Sequence, residues 1–161
     1  MILTNKRILE EVQFEPALDS FQVNPHSIDL RLEAGYNIRP GATMQFRTLE
    51  KVTLPDDVMA VVYPRSSTNR RGLHVHMTGV VDAGYSGHLI VPVTNTNDMD
   101  VPLMTGERIA SLIFHRLEER VTPRESKYHE KDGKHIPDKE AETVFLNSGN
   151  MEGLKAMYPL F

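Results

Sequence analysis

Apolar and polar positions change their period once along this chain. In residues 4–12, TNKRILEEV, Ile8, Leu9 and Val12 recur at helical spacing behind Thr4, a polar cap. That spacing predicts one short helix. After Pro16 the apolar runs become short or alternating, at residues 27–32, 44–49, 58–63, 74–77, 88–93 and 108–114. Turn formers separate them at Asn24-Pro25, Pro40-Gly41, Pro55-Asp56-Asp57, Ala83-Gly84, residues 95–98 and Thr105-Gly106. Many short strands with frequent turns predict an all-β domain, a barrel or jelly roll. Residues 58–63, VMAVVY, are apolar throughout, which predicts a strand buried on both sides. No internal repeat is present.

The pattern shifts again after Leu117. Residues 118–142 are rich in Glu, Lys, Arg and Asp and contain Pro123, Gly133 and Pro137. Residues 143–161 turn apolar, through Val144, Phe145, Leu146, Leu154, Met157, Tyr158, Leu160 and Phe161. The expected organisation is a β domain over 1–117 and a C-terminal arm over 118–161. The apolar tip of that arm is expected to dock on its own body or on a neighbouring subunit.

Composition narrows the function. The 161 residues are 40% apolar, enough to build a core, which argues against disorder as the main description. There is no cysteine, which removes disulfide scaffolds, thiolate zinc sites and cysteine nucleophiles. No apolar run approaches a membrane span, and the first residues lack a signal-peptide pattern. A cytoplasmic protein with no membrane partner is expected. The net charge of −4 argues against duplex nucleic acid as a partner, because that surface needs a basic excess. A small phosphorylated ligand needs only a few converging Arg and Lys.

Residues 64–95, PRSSTNRRGLHVHMTGVVDAGYSGHLIVPVTN, hold the densest candidate chemistry. Arg65, Ser66 and Ser67 offer a guanidinium fork, two hydroxyls and backbone N–H groups in one bend, a set suited to phosphate oxygens. Arg70 and Arg71 add charge nearby. Equally, the stretch can be a solvated turn. Asp82 follows Val80-Val81 and precedes Ala83-Gly84. A carboxylate at such a strand end can be partly desolvated and still meet water, as a general base must. The alternative is a turn-starting Asp bonded to its own backbone. Tyr85 can stack on a ring or sugar, or fill the core. His74 and His76 share a strand face, and His88 is placed across the expected hairpin, which raises zinc as a question. No acidic partner accompanies them.

PRSSTNRRGL, then GVVDAGYSGHLIVPVTN, then TGERIASLIF, preceded by PHSIDLRL at 25–32, resemble in order the motifs of the superfamily of trimeric dUTPases and dCTP deaminases. The likeness covers about residues 5–135. It implies a distorted β-barrel or jelly roll of the dUTPase-like β-clip type, a homotrimer with active sites between subunits, and Mg²⁺ on the phosphates of a deoxypyrimidine nucleoside triphosphate. By the same likeness Asp82 is the base that activates water, while Arg65, Ser66, Ser67 and Arg70 contact phosphate. Tyr85 packs on deoxyribose. Backbone and side-chain groups around His76, Thr78 and Val80 read the base. Lys127, Tyr128 and Lys134 resemble the deaminase tail that folds over the triphosphate.

Deaminases of this superfamily carry a glutamate ten residues after the motif aspartate; here that position is Pro92, and no acid occurs between Asp82 and Asp98. Without a carboxylate at the pyrimidine ring, deamination loses an acid–base catalyst worth about 10²–10⁴-fold. The spacing from Arg65 to Gly72 nonetheless matches the deaminase branch, Ser111 stands where a glutamine is common, and His76 stands where dUTPases often have asparagine. The expected activity is hydrolysis of dUTP to dUMP and diphosphate. The alternatives are a dCTP deaminase or dCTP-directed hydrolase, and a catalytically silent nucleotide-sensing homologue.

Overall fold

The computed structural model describes residues 1–76 and 79–123. The expected helix is present as α1 (Asn5–Glu11), with Thr4 at its N-cap in extended conformation and Ile8 buried beneath it. Ten strands follow. They are β1 (Gln13–Glu15), β2 (Ile28–Arg31), β3 (Tyr36–Ile38), β4 (Thr43–Thr53), β5 (Val58–Pro64), β6 (Leu73–Val75), β7 (Val80–Val81), β8 (Ser86–Asn95), β9 (Val101–Leu103) and β10 (Arg108–Arg116). A 3-10 turn lies at Ser20–Gln22 and a single helical turn, α2, at Ser66–Asn69.

The strands form two four-stranded antiparallel sheets, β1-β4-β8-β6 and β2-β10-β5-β7, and a β3-β9 ribbon. Their inner faces share one core. Phe46, Val52, Leu89, Val91 and Val93 of the first sheet and Ile28, Leu30, Val62, Leu112 and Phe114 of the second belong to it. The sheets meet at the Leu32–Thr48 bridge. This is the all-β, jelly-roll-like architecture expected. No helix among the described residues is long and apolar enough to cross a membrane.

Two expectations need correction. Residues 58–63 are buried on one side only. Val58, Ala60 and Val62 face the core, while Met59 and Val61 are half-buried and Tyr63 is 40% exposed. Their apolar outer neighbours in register are Ile113 on β10, opposite Val61, and Val80 on β7, itself 59% exposed. The second correction concerns β6, which stops at Val75, short of His76.

Pro92 gives the reason. β8 lies inside its sheet, between β4 and β6, where a proline removes a ladder bond. The Pro92 carbonyl accepts the His76 N–H at 2.9 Å. In an antiparallel pair of this kind, N–H and C=O of one residue face the same neighbour. The bond that Pro92 cannot return is therefore on the β6 side. Pairing with β8 ends there, and the chain crosses to the other sheet, where Val80 pairs with Val61.

Candidate active site

Pro64 closes β5, and Arg65 takes the N-cap position of α2. Ser66 and Ser67 are exposed on that turn. Ser66 Oγ accepts a 3.2 Å hydrogen bond from Arg70 Nη2, so Arg65, Ser66, Ser67 and Arg70 form one polar end. The Arg65 side chain, 18% exposed, is held from within: Nε donates to Asp29 Oδ2 at 2.9 Å and Nη1 to the Arg108 carbonyl at 3.0 Å. Arg108 Nη1 reaches the same Asp29 oxygen at 3.3 Å, and its guanidinium stacks over Phe21 at 5.4 Å. Ser111 Oγ donates to Asp29 Oδ1 at 2.5 Å. Two guanidinium groups share one buried carboxylate, which leaves net positive charge at this end.

Asp29 lies inside the PHSIDLRL stretch, whose order alone gives it no role. Its signal is an acid between fully buried Ile28 and Leu30 on β2. Glu50 and Gln22, both wholly inaccessible, escaped for the same reason: a buried polar group reveals itself only through its partners.

Asp82 lies just past β7 and is exposed, so the partial desolvation expected of it is not found in this chain. Its carbonyl accepts the Tyr85 N–H at 3.1 Å across a turn in which Gly84 has φ +77°. No described hydrogen bond or ion pair engages its carboxylate. The self-bonded turn aspartate is therefore not what the structure contains, and both oxygens are open to water. Tyr85 is 7% exposed and joins the core; its hydroxyl donates to the His88 carbonyl at 2.8 Å.

The two ends are separate. The register puts Val81 opposite Ala60, so Asp82 stands near the level of Met59, while Arg65 is six positions further along the same strand direction. At about 3.3 Å per residue the separation is about 20 Å. One nucleotide's α-phosphate cannot touch both within one chain. Two surface clefts, of about 750 and 690 Å³, are lined by neither Arg65 nor Asp82.

His76 Nε2 lies 2.7 Å from Thr94 Oγ1, which lies 2.6 Å from Thr43 Oγ1, and its ring meets His74 edge-on at 4.7 Å. His88 is not across from this pair. It sits opposite Lys51 on β4, with Nδ1 2.9 Å from the Thr48 carbonyl. β6 pairs only with residues 93–95, so the three-histidine zinc arrangement does not form. Among the described residues no three His, Asp or Glu side chains gather to hold a metal. Thr78, Lys127, Tyr128 and Lys134 lie outside the described residues, as does the apolar segment 144–161.

Comparison with known proteins follows the same lines. Residues 32–117 match the family model described as dCTP deaminase-like. A protein of Dictyoglomus thermophilum named "dCTP deaminase, dUMP-forming" is 37% identical over 120 residues, 74% of this chain and 60% of that protein. The chain thus spans about 60% of that relative's length. The fold is similar to the 2'-deoxycytidine 5'-triphosphate deaminase of Agrobacterium tumefaciens, with TM-score 0.63 and 22% identity over 73% of this chain and 49% of that one. It is also similar to a D95N mutant dUTPase from phage phi11 of S. aureus, whose structure concerns a structural Mg(II) ion, with TM-score 0.56 and 15% identity over 75% and 98% of the two chains. By its matched domain and its relatives, the chain belongs to the dCTP deaminase-like family.

Proposed function

We propose that the chain is a dUTP diphosphatase that converts dUTP and water to dUMP and diphosphate. The carrying observation is an unengaged Asp82 carboxylate together with Pro92 ten residues on, the position where the motif resemblance implies the deaminase glutamate. A relative named as a dCTP deaminase that forms dUMP supports this reading. To reach dUMP from dCTP, a site must remove both the ring amine and diphosphate. Loss of the ring acid leaves the second step.

Asp82 takes a proton from water as the water oxygen bonds to the α-phosphorus. The bond from that phosphorus to the α,β-bridging oxygen breaks, and diphosphate leaves. Arg65, Ser66 and Arg70 bind the phosphate oxygens and stabilise the charge that grows on them. Mg²⁺, if carried in with the triphosphate, would add charge neutralisation to that of Arg65 and Arg70.

The separation of Arg65 from Asp82 supports sites built between copies of the chain. Met59, Val61, Tyr63, Val80 and Ile113 form an apolar outer face suited to a second copy, and we assign the assembly as a homotrimer. Lys127, Tyr128 and Lys134 of the arm supply further phosphate contacts in this reading.

The relative's name favours a second reading, dCTP deamination. Pro92 weighs against it. Diphosphate and ammonia release, measured separately with each of the common ribo- and deoxynucleoside triphosphates, decides. Diphosphate from dUTP without ammonia from dCTP supports the proposal; ammonia from dCTP overturns it.

A further inference from the structure

Two inaccessible side chains lie behind the phosphate-binding end. Gln22 Nε2 donates to Glu50 Oε1 and to the Asp29 carbonyl, each at 2.9 Å, and Gln22 Oε1 accepts the Asp19 N–H at 3.0 Å. Glu50 also accepts Arg31 Nε at 2.7 Å and the Arg31 N–H at 2.8 Å. One buried amide thus ties β2, at Asp29, to β4, at Glu50. In front of it the Asp29 carboxylate receives Ser111, Arg65 and Arg108.

These contacts leave Arg65 one nitrogen without a described partner. A guanidinium is planar, so fixing two of its nitrogens fixes the third. Nε and Nη1 are committed to Asp29 and the Arg108 carbonyl, and none of the described contacts uses Nη2. We propose that Gln22 and Ser111 are positioning residues: Gln22 holds Asp29 by its main-chain carbonyl and Ser111 by its carboxylate, so that Arg65 presents Nη2 to the substrate's phosphates. The inference rests on the reading of Arg65 as a phosphate ligand. Ser111 stands where the motif resemblance expects a glutamine. Its short side chain is spent on Asp29, so it acts on the substrate only through Arg65.

The test is a double-mutant cycle on the full chain, read as affinity for α,β-imido-dUTP with Mg²⁺ by titration calorimetry. Gln22→Leu and Ser111→Ala are each expected to weaken binding about tenfold. On an Arg65→Ala background neither is expected to weaken it further, because the group they position is gone. Losses that persist in full on that background overturn the proposal, as does unchanged binding by Ser111→Ala. Should Gln22→Leu fail to fold, Ser111→Ala carries the test alone, since it removes one hydroxyl at the edge of the network. Absence of binding of both α,β-imido-dUTP and dCTP to the unmodified protein is a different failure, which removes the functional reading and this inference with it.

Discussion

Pro92 accepts the His76 N–H at 2.9 Å and has no N–H to give back. One residue therefore does two things. It ends the pairing of β6 with β8, which frees the chain toward Val80, and it leaves the outer face of β8 without a carboxylate. The two effects separate in Pro92→Ala, which restores the N–H and supplies no acid. Ammonia release from dCTP is expected to stay at background in that variant, while diphosphate release from dUTP continues. Deamination by Pro92→Ala, measured as ammonia, contradicts the assignment of the missing acid as the cause.

Asp82 makes no described side-chain contact, so its role in stability is small. Asp82→Asn is expected to lower kcat for dUTP by about 10²–10⁴-fold. Its unfolding free energy should change by no more than about 0.5 kcal/mol, as for other surface positions. Steady-state kinetics beside thermal unfolding checks both. A variant with full turnover removes Asp82 as the base.

Arg65 and Arg70 are predicted to differ sharply despite lying five residues apart. Arg65→Ala strips a partner from the nearly inaccessible Asp29. Breaking a buried pair in this way costs about 3–5 kcal/mol, and the low end applies because Arg108 and Ser111 remain. Arg70 is exposed and bonds only Ser66 among its described partners, so Arg70→Ala is expected to raise KM with little change in stability. Denaturant midpoints and KM for the two variants provide the comparison; equal stability losses would contradict the geometry.

Gly84 holds φ +77°, and a Cβ there would lie 2.6 Å from the Cβ and Cγ of Pro123. Gly84→Ala is therefore expected to cost about 2 kcal/mol from the backbone conformation and the clash together. On a Pro123→Gly background the clash vanishes and about 1 kcal/mol remains. Thermal unfolding of the three variants reads the difference. Pro123 follows a stretch that returns along the turn before β5, where Val121 N–H bonds the Asp56 carbonyl at 3.0 Å and Arg120 pairs with Asp56 at 3.2 Å. The Asp82 turn and residues 120–123 are thus neighbours.

What was legible in the sequence follows from length and alternation. β4, β8 and β10 are long enough to show their apolar phase, and α1 shows its helical spacing. β1, β3, β7 and β9 have only two or three residues, too few to display a period. Residues 58–63 misled because the outer face of β5 is itself apolar. His88 was misplaced because β6 and β8 do not form a simple hairpin: between them the chain visits the other sheet through β7. The motif residues stood out by type and order. Gln22 and Glu50 did not, and Asp29, inside PHSIDLRL, showed no sign of its contacts, since their meaning lies across strands far apart in the chain.

The path of the water oxygen tests the central claim most directly. Hydrolysis of dUTP in H₂¹⁸O, followed by mass spectrometry of both products, should place one ¹⁸O in the phosphate of dUMP and none in diphosphate. Label in the diphosphate, or uracil carrying ¹⁸O formed from dCTP, would contradict attack at the α-phosphorus with the ring left untouched.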